Sequence, residues 1–199
     1  MELSRALHST LAVLTKVQPG QLDGPTPCAS WDVRTLISHV TGSARWWAGT
    51  VAVSGAGDPA EADYAAGDHA AGDYAAGDYA AAYAQSSQIA LAAFGADGVL
   101  DRTVRLPFGE FPGAVVLGMA ATEQFTHGWD LARATGQPTD LDPELATELL
   151  GQARLVITDA YRGPDGEALF GPARTAPAGA SPADQLAAFL GRGPGILRA

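Results

Sequence analysis

A chain of 199 residues with 22 acidic against 12 basic side chains carries a formal net charge of -10. That balance excludes the basic footprint of a nucleic-acid binder. Cys28 is the only cysteine, so no intramolecular disulfide can form, and a reducing, cytoplasmic compartment is expected. No stretch approaches the ~18–20 apolar residues of a membrane span, and Met1-Glu2-Leu3-Ser4-Arg5 opens an amphipathic pattern, not a signal peptide. One domain covering 1–199 is expected, since a chain of this size buries roughly 70% of its unfolded surface.

Leu3, Leu7, Leu11 and Leu14 recur at helical spacing and predict a helix over about 2–17, stopped by Pro19-Gly20. A loop over 18–30 follows, in which Pro25 and Pro27 disfavour helix. Ser30 is suited to cap a second helix over about 31–53, with Asp32 in its first turn. Val33, Leu36, Ile37, Val40, Ala44 and Trp47 form its apolar stripe, and His39 lies on the stripe's edge, aimed along a helix interface. Residues 57–81 repeat a five-residue unit, ending in Gly-Asp-His-Ala-Ala and two copies of Gly-Asp-Tyr-Ala-Ala. That period fits neither helix nor strand, so the segment reads as a low-complexity insertion.

Helix resumes over about 82–96. Alternation in Thr103-Val104-Arg105-Leu106, then the turn-rich Pro107 to Gly113, predicts a small hairpin. A fourth long helix runs from about 115 to 135 and ends near Gly136. Pro143 begins another, to about 161, after Asp142. Coil over 163–182 and a short helix over about 183–191 complete the chain. The result is an all-α four-helix bundle with a short hairpin excursion and a C-terminal extension.

The chemistry concentrates on the fourth long helix. Glu123 and His127 lie four residues apart, about 40° around the axis, and Asp130 falls within about 60° of the same arc. A carboxylate and an imidazole so placed can converge on one metal ion. His39, on a second apolar-faced helix, is the candidate third ligand. Two imidazoles and one carboxylate suit a three-ligand Zn²⁺ site, and Fe²⁺ or Ni²⁺ would also be accepted. Asp130 would then orient a ligand or touch substrate. The same residues also fit a plainer account, a solvated Glu/His pair and an interfacial histidine. His8 reads as a structural or surface residue beside the first helix's stripe, His69 as exposed, Cys28 as a small buried hydrophobe, and the four tryptophans as core or pocket wall. Arg45, Arg133 and Arg154 are candidates to hold an anionic substrate.

Two stretches carry a family resemblance. Thr26-Pro27-Cys28-Ala29-Ser30-Trp31-Asp32, continuing to His39 and Val40, resembles the second-helix signature of the actinobacterial DinB-like metal-binding family. That family includes the N-terminal domain of mycothiol-dependent maleylpyruvate isomerase. Thr122-Glu123-Gln124-Phe125-Thr126-His127-Gly128-Trp129-Asp130 resembles its second signature, and Phe170-Gly171-Pro172 with Leu186 to Arg192 resembles its tail. The resemblance implies a DinB-like bundle with His39, Glu123 and His127 at the metal-ligand positions. It also implies mycothiol as a thiol cosubstrate, in a transferase or isomerase acting on a small electrophile. The chain lacks the isomerase's additional C-terminal domain, which points away from maleylpyruvate itself. A non-catalytic ligand-binding bundle and a metal-dependent hydrolase stay open, as does a homodimer.

Overall fold

A computed structural model describes residues 1–28, 31–53, 79–164 and 168–193. Its helices are α1 (Glu2–Leu14), α2 (Val33–Val53), α3 (Tyr79–Phe94), α4 (Gly113–Ala134), α5 (Pro143–Val156) and α6 (Pro182–Phe189). A two-stranded antiparallel hairpin, β1 (Thr103–Leu106) and β2 (Gly109–Pro112), lies between α3 and α4. The architecture is thus the all-α bundle with a short hairpin that the sequence predicts. α1 packs most extensively on α4, α2 packs on α3 and α4, and α5 pairs with α6 beside α4. No helix among the described residues is long and apolar enough to cross a membrane.

Periodic leucines explain the bundle's interior. Leu3, Leu7 and Leu14 of α1, Leu36 of α2, Phe94 of α3 and Phe125 of α4 are almost completely buried. Such side chains each contribute roughly 1.5–3 kcal/mol on leaving water. α1 and α4 approach closely because Gly128 has no side chain. A Cβ there would lie 2.2 Å from Thr10 Oγ1 and 3.1 Å from Thr10 Cα. Behind that contact sits a neutral polar network. Tyr83 OH donates to Gln124 Oε1 at 2.7 Å, and Gln124 Nε2 donates to Ser43 Oγ at 2.8 Å and Val40 O at 3.3 Å. Thr10 Oγ1 donates to the Gln124 carbonyl at 2.8 Å. One residue therefore fixes α4 against α1, α2 and α3 together, with its buried polar atoms satisfied.

Element ends differ from the sequence expectation for local reasons. α1 closes at Leu14 because the chain tightens into i→i−3 turns, Lys16 N–H to Val13 O and Val17 N–H to Leu14 O. α2 begins at Val33, and Asp32 takes the capping role expected of Ser30: its carboxylate accepts the Thr35 N–H at 2.7 Å. Ser30 and residues 54–78 lie outside the described residues, so the repeat is described only at 79–81. Those three residues belong to α3, and Tyr79 OH donates to Val17 O at 2.7 Å. α4 starts at Gly113, two residues early, where a Cβ would collide with the Val99 carbonyl at 1.9 Å. α5 ends at Val156 instead of near 161. Beyond it Ile157 is extended, and Tyr161 and Gly163 exchange backbone hydrogen bonds with Phe170, which folds the tail back.

Candidate metal centre

The site lies where α2 faces α4. On α4, Glu123 and His127 stand one turn apart on the face opposed to α2, whose stripe carries His39. The Gln124 network sets the lateral register of the two helices immediately beside Glu123. The three side chains consequently meet: His39 Nε2 is 3.2 Å from Glu123 Oε1, and the His39 and His127 rings are 4.9 Å apart and nearly perpendicular. One ligand atom from each of His39, Glu123 and His127 can be chosen so that all lie within 4.8 Å of one another. Trp31 covers the pair, with ring centroids 4.4 Å from His39 and 5.8 Å from His127. Trp47 Nε1–H donates to Glu123 Oε2.

Burial and charge set the protonation states. Burial pushes the Glu123 carboxyl up, but the His39 hydrogen bond, the neighbouring imidazoles and the Trp47 N–H outweigh it and hold its pKa at about 2. Glu123 is therefore an anion. Burial lowers the pKa of His127 and, with help from the charge of His39, outweighs Asp130, so His127 is held as a neutral imidazole. An ionised carboxylate beside neutral imidazole is the donor set that a divalent transition ion requires.

On its other side His127 meets Asp130, which is fully buried. Nδ1 of His127 lies 3.0 Å from Asp130 Oδ2. Burial raises the Asp130 pKa, but the Arg192 charge and the His127 hydrogen bond together hold it at about 2. Asp130 can then only accept, so Nδ1 carries the proton and Nε2 keeps its lone pair. Arg192 donates from Nη2 to Oδ2 at 2.9 Å and from Nε to Oδ1 at 3.3 Å. Cys28 Sγ donates to Oδ2 at 3.4 Å, and burial followed by the Asp130 charge pushes that thiol's pKa well up.

Cys28, His127 and Asp130 also bring ligand atoms within 4.8 Å of one another. This second grouping is already neutralised: a guanidinium spans both Asp130 oxygens, and the thiol is protonated. The first grouping has an anionic carboxylate and neutral imidazole, and it is the better fit to a metal ion.

Residues 3–132 match the Mycothiol maleylpyruvate isomerase N-terminal domain. The chain belongs to that family. Two relatives from Mycobacterium tuberculosis, Uncharacterized protein MT0763 of strain CDC 1551 / Oshkosh and Uncharacterized protein Rv0738 of strain ATCC 25618 / H37Rv, are each 41% identical over 196 residues. The alignment covers 96% of this chain and 96% of each relative. No solved structure gives a significant match.

The stretch matched to the mycothiol maleylpyruvate isomerase N-terminal domain contains His39, Glu123, His127 and Asp130, the residues singled out from the sequence. Asp130, expected either to orient a ligand or to touch substrate, lies against His127 Nδ1. His8 is exposed on α1, and His69 lies outside the described residues. Of the arginines proposed for an anion, Arg45 hydrogen-bonds Ser86 and Gln85 of α3, Arg154 stands 6.0 Å over the Phe189 ring, and Arg133 is exposed. The arginine that meets the centre is Arg192, which lies beyond residues 3–132; it closes the tail stretch whose resemblance the sequence carried, but nothing there pointed to Asp130 as its partner. Cys28, read as a small buried hydrophobe, is half-buried and a hydrogen-bond donor to Asp130. Trp47, read as core or wall, also serves Glu123; its place two turns after His39 on the same stripe was the available signal.

Proposed function

We propose that this protein binds one divalent metal ion, Zn²⁺ by preference, through His39, Glu123 and His127, and uses it with a small-molecule thiol such as mycothiol. The reaction would be a thiol-dependent transfer or isomerisation of a small electrophile. The convergence of two imidazoles and one anionic carboxylate within 4.8 Å carries this reading. Membership of the mycothiol maleylpyruvate isomerase N-terminal family supports the thiol.

A bound ion would supply net positive charge that favours thiolate over thiol at its open position. The chain's own residues prepare for that charge. Asp130 keeps the His127 proton on Nδ1 and so leaves Nε2 as a donor atom. Trp47 orients Glu123 through Oε2, while Oε1 faces His39. Trp31 lies over both imidazoles and packs against them.

Elemental analysis of protein purified without chelator or metal-affinity resin tests the proposal. About one equivalent of metal is expected, and its loss in a folded His127→Ala variant. Metal-loaded protein should also show a raised melting temperature with mycothiol. A folded protein that takes up no divalent ion would overturn the metal assignment; a loaded one indifferent to mycothiol would overturn the thiol.

A further inference from the structure

Arg192 reaches the centre from a part of the chain separated from Asp130 by 62 residues, and local structure delivers it there. α6 ends in a Schellman turn: Gly191 N–H bonds Ala188 O at 3.0 Å and Arg192 N–H bonds Ala187 O at 2.9 Å. Gly191 has φ +94, and a Cβ on it would lie 2.8 Å from Gly171 Cα. No other residue fits that turn without displacing the chain. The neighbouring tail is tied down as well. Arg162 Nη1 donates to Gly171 O and Phe189 O, and Arg174 Nε donates to Gly191 O at 3.0 Å. Asp184 of α6 accepts from Trp129 Nε1 at 2.8 Å, one residue from Asp130.

We propose that Arg192 is a positioning residue of the centre: from the end of α6 its guanidinium clamps both oxygens of Asp130, so that Asp130 holds the His127 proton on Nδ1 and Nε2 stays a lone-pair donor. The tail beyond the family-matched residues is then part of the site. A parallel two-point hydrogen bond fixes a carboxylate's plane as well as its charge. Without it, Asp130 keeps, among the described residues, the His127 and Cys28 contacts, its plane is no longer fixed, and the imidazole loses its fixed partner. Nη1 of Arg192 is occupied by Leu190 O at 3.3 Å, so the side chain is spent on positioning and not held for substrate.

Two measurements on the full-length protein test this. The first is independent of metal: ring ¹H–¹⁵N correlation of His127 in metal-free protein at about pH 8, where imidazole is neutral. Wild type should show the Nδ1–H tautomer, Arg192→Gln a mixture with Nε2–H, and Arg192→Lys an intermediate pattern. The second rests on the metal assignment: Zn²⁺ affinity from competition with a chromophoric chelator. It should fall about 10–100-fold in Arg192→Gln, as for other lost outer-shell partners, and recover partly in Arg192→Lys. If the wild type binds no Zn²⁺, the metal assignment falls while the tautomer shift still decides the role of Arg192. If Arg192→Gln does not fold, Arg192→Lys decides, because it keeps the charge but not the fork. An unchanged His127 tautomer in the folded variant overturns the proposal.

Discussion

Two adjacent residues of α4, Glu123 and Gln124, organise two polar clusters of opposite character. Gln124 is fully buried, and every partner it meets is neutral: Tyr83, Ser43 and the Val40 carbonyl. Nothing in that cluster titrates near neutral pH, and it ties four helices into one register. Glu123 is 18% exposed, anionic, and set against two imidazoles. Burial disfavours that charge, and its hydrogen bonds and the imidazoles outweigh the penalty. The difference separates scaffold from chemistry at single-residue resolution. A satisfied neutral network fixes the geometry, and the charged cluster beside it presents an anionic carboxylate between two imidazoles.

The largest expected effect breaks the comparison on the Glu123 side. Glu123→Gln keeps the shape but removes the anion, and Zn²⁺ affinity should fall more than about 100-fold, beyond the loss of an outer-shell partner. Urea unfolding of the metal-free variant should show the fold retained. Gln124→Leu should do the reverse. It removes the acceptor of Tyr83 OH, and Ser43 loses its donor from Gln124, so stability should fall by about 1–3 kcal/mol, while folded protein keeps its metal stoichiometry. Equal effects of both variants on metal and on unfolding would erase the distinction. Gly128→Ala probes the scaffold from the α1 side. A methyl 2.2 Å from Thr10 Oγ1 must push the helices apart, at about 2 kcal/mol by the measure of other overpacked cores, read as a lowered denaturant midpoint.

The fold was legible in the sequence because its helices bury regular stripes, and the Leu3, Leu7, Leu14 series alone places α1. Helix ends were less so. Asp32 caps α2 through the Thr35 N–H, and α5 stops at Val156 because the tail must double back onto Phe170, a tertiary demand with no periodic signal. The centre divides the same way. Glu123 and His127 are an i,i+4 pair on one helix, and His39 sits on a helix stripe; each is local information. Arg192 arrives through a glycine-dependent turn from a distant, irregular stretch, so only the fold reveals it. The sequence showed Arg192 at the end of a tail stretch resembling the family's, after Gly191 closing a short helix, but neither says what its side chain reaches.

The smallest effect concerns how the tail's docking depends on pH. Asp184 is placed between opposing influences: burial raises its pKa, but hydrogen bonds from Trp129 Nε1, Thr139 Oγ1 and Ser181 outweigh it and leave the pKa lowered. A carboxyl whose folded pKa lies below its unfolded value, about 3.9, stabilises the protein fully above that value. The contribution is lost as pH falls through the folded pKa. Asp184→Asn should therefore be less stable than wild type at neutral pH, and the gap should close in acid. Because Asp184 is partly exposed, solvent screening keeps the gap small. Urea midpoints of the two proteins at neutral pH and near pH 3 measure it, the lower value chosen to lie below the unfolded pKa of about 3.9. A gap that does not change with pH would mean that the Trp129 and Thr139 contacts act through shape alone, and that charge plays no part in holding α6, and with it Arg192, against α4.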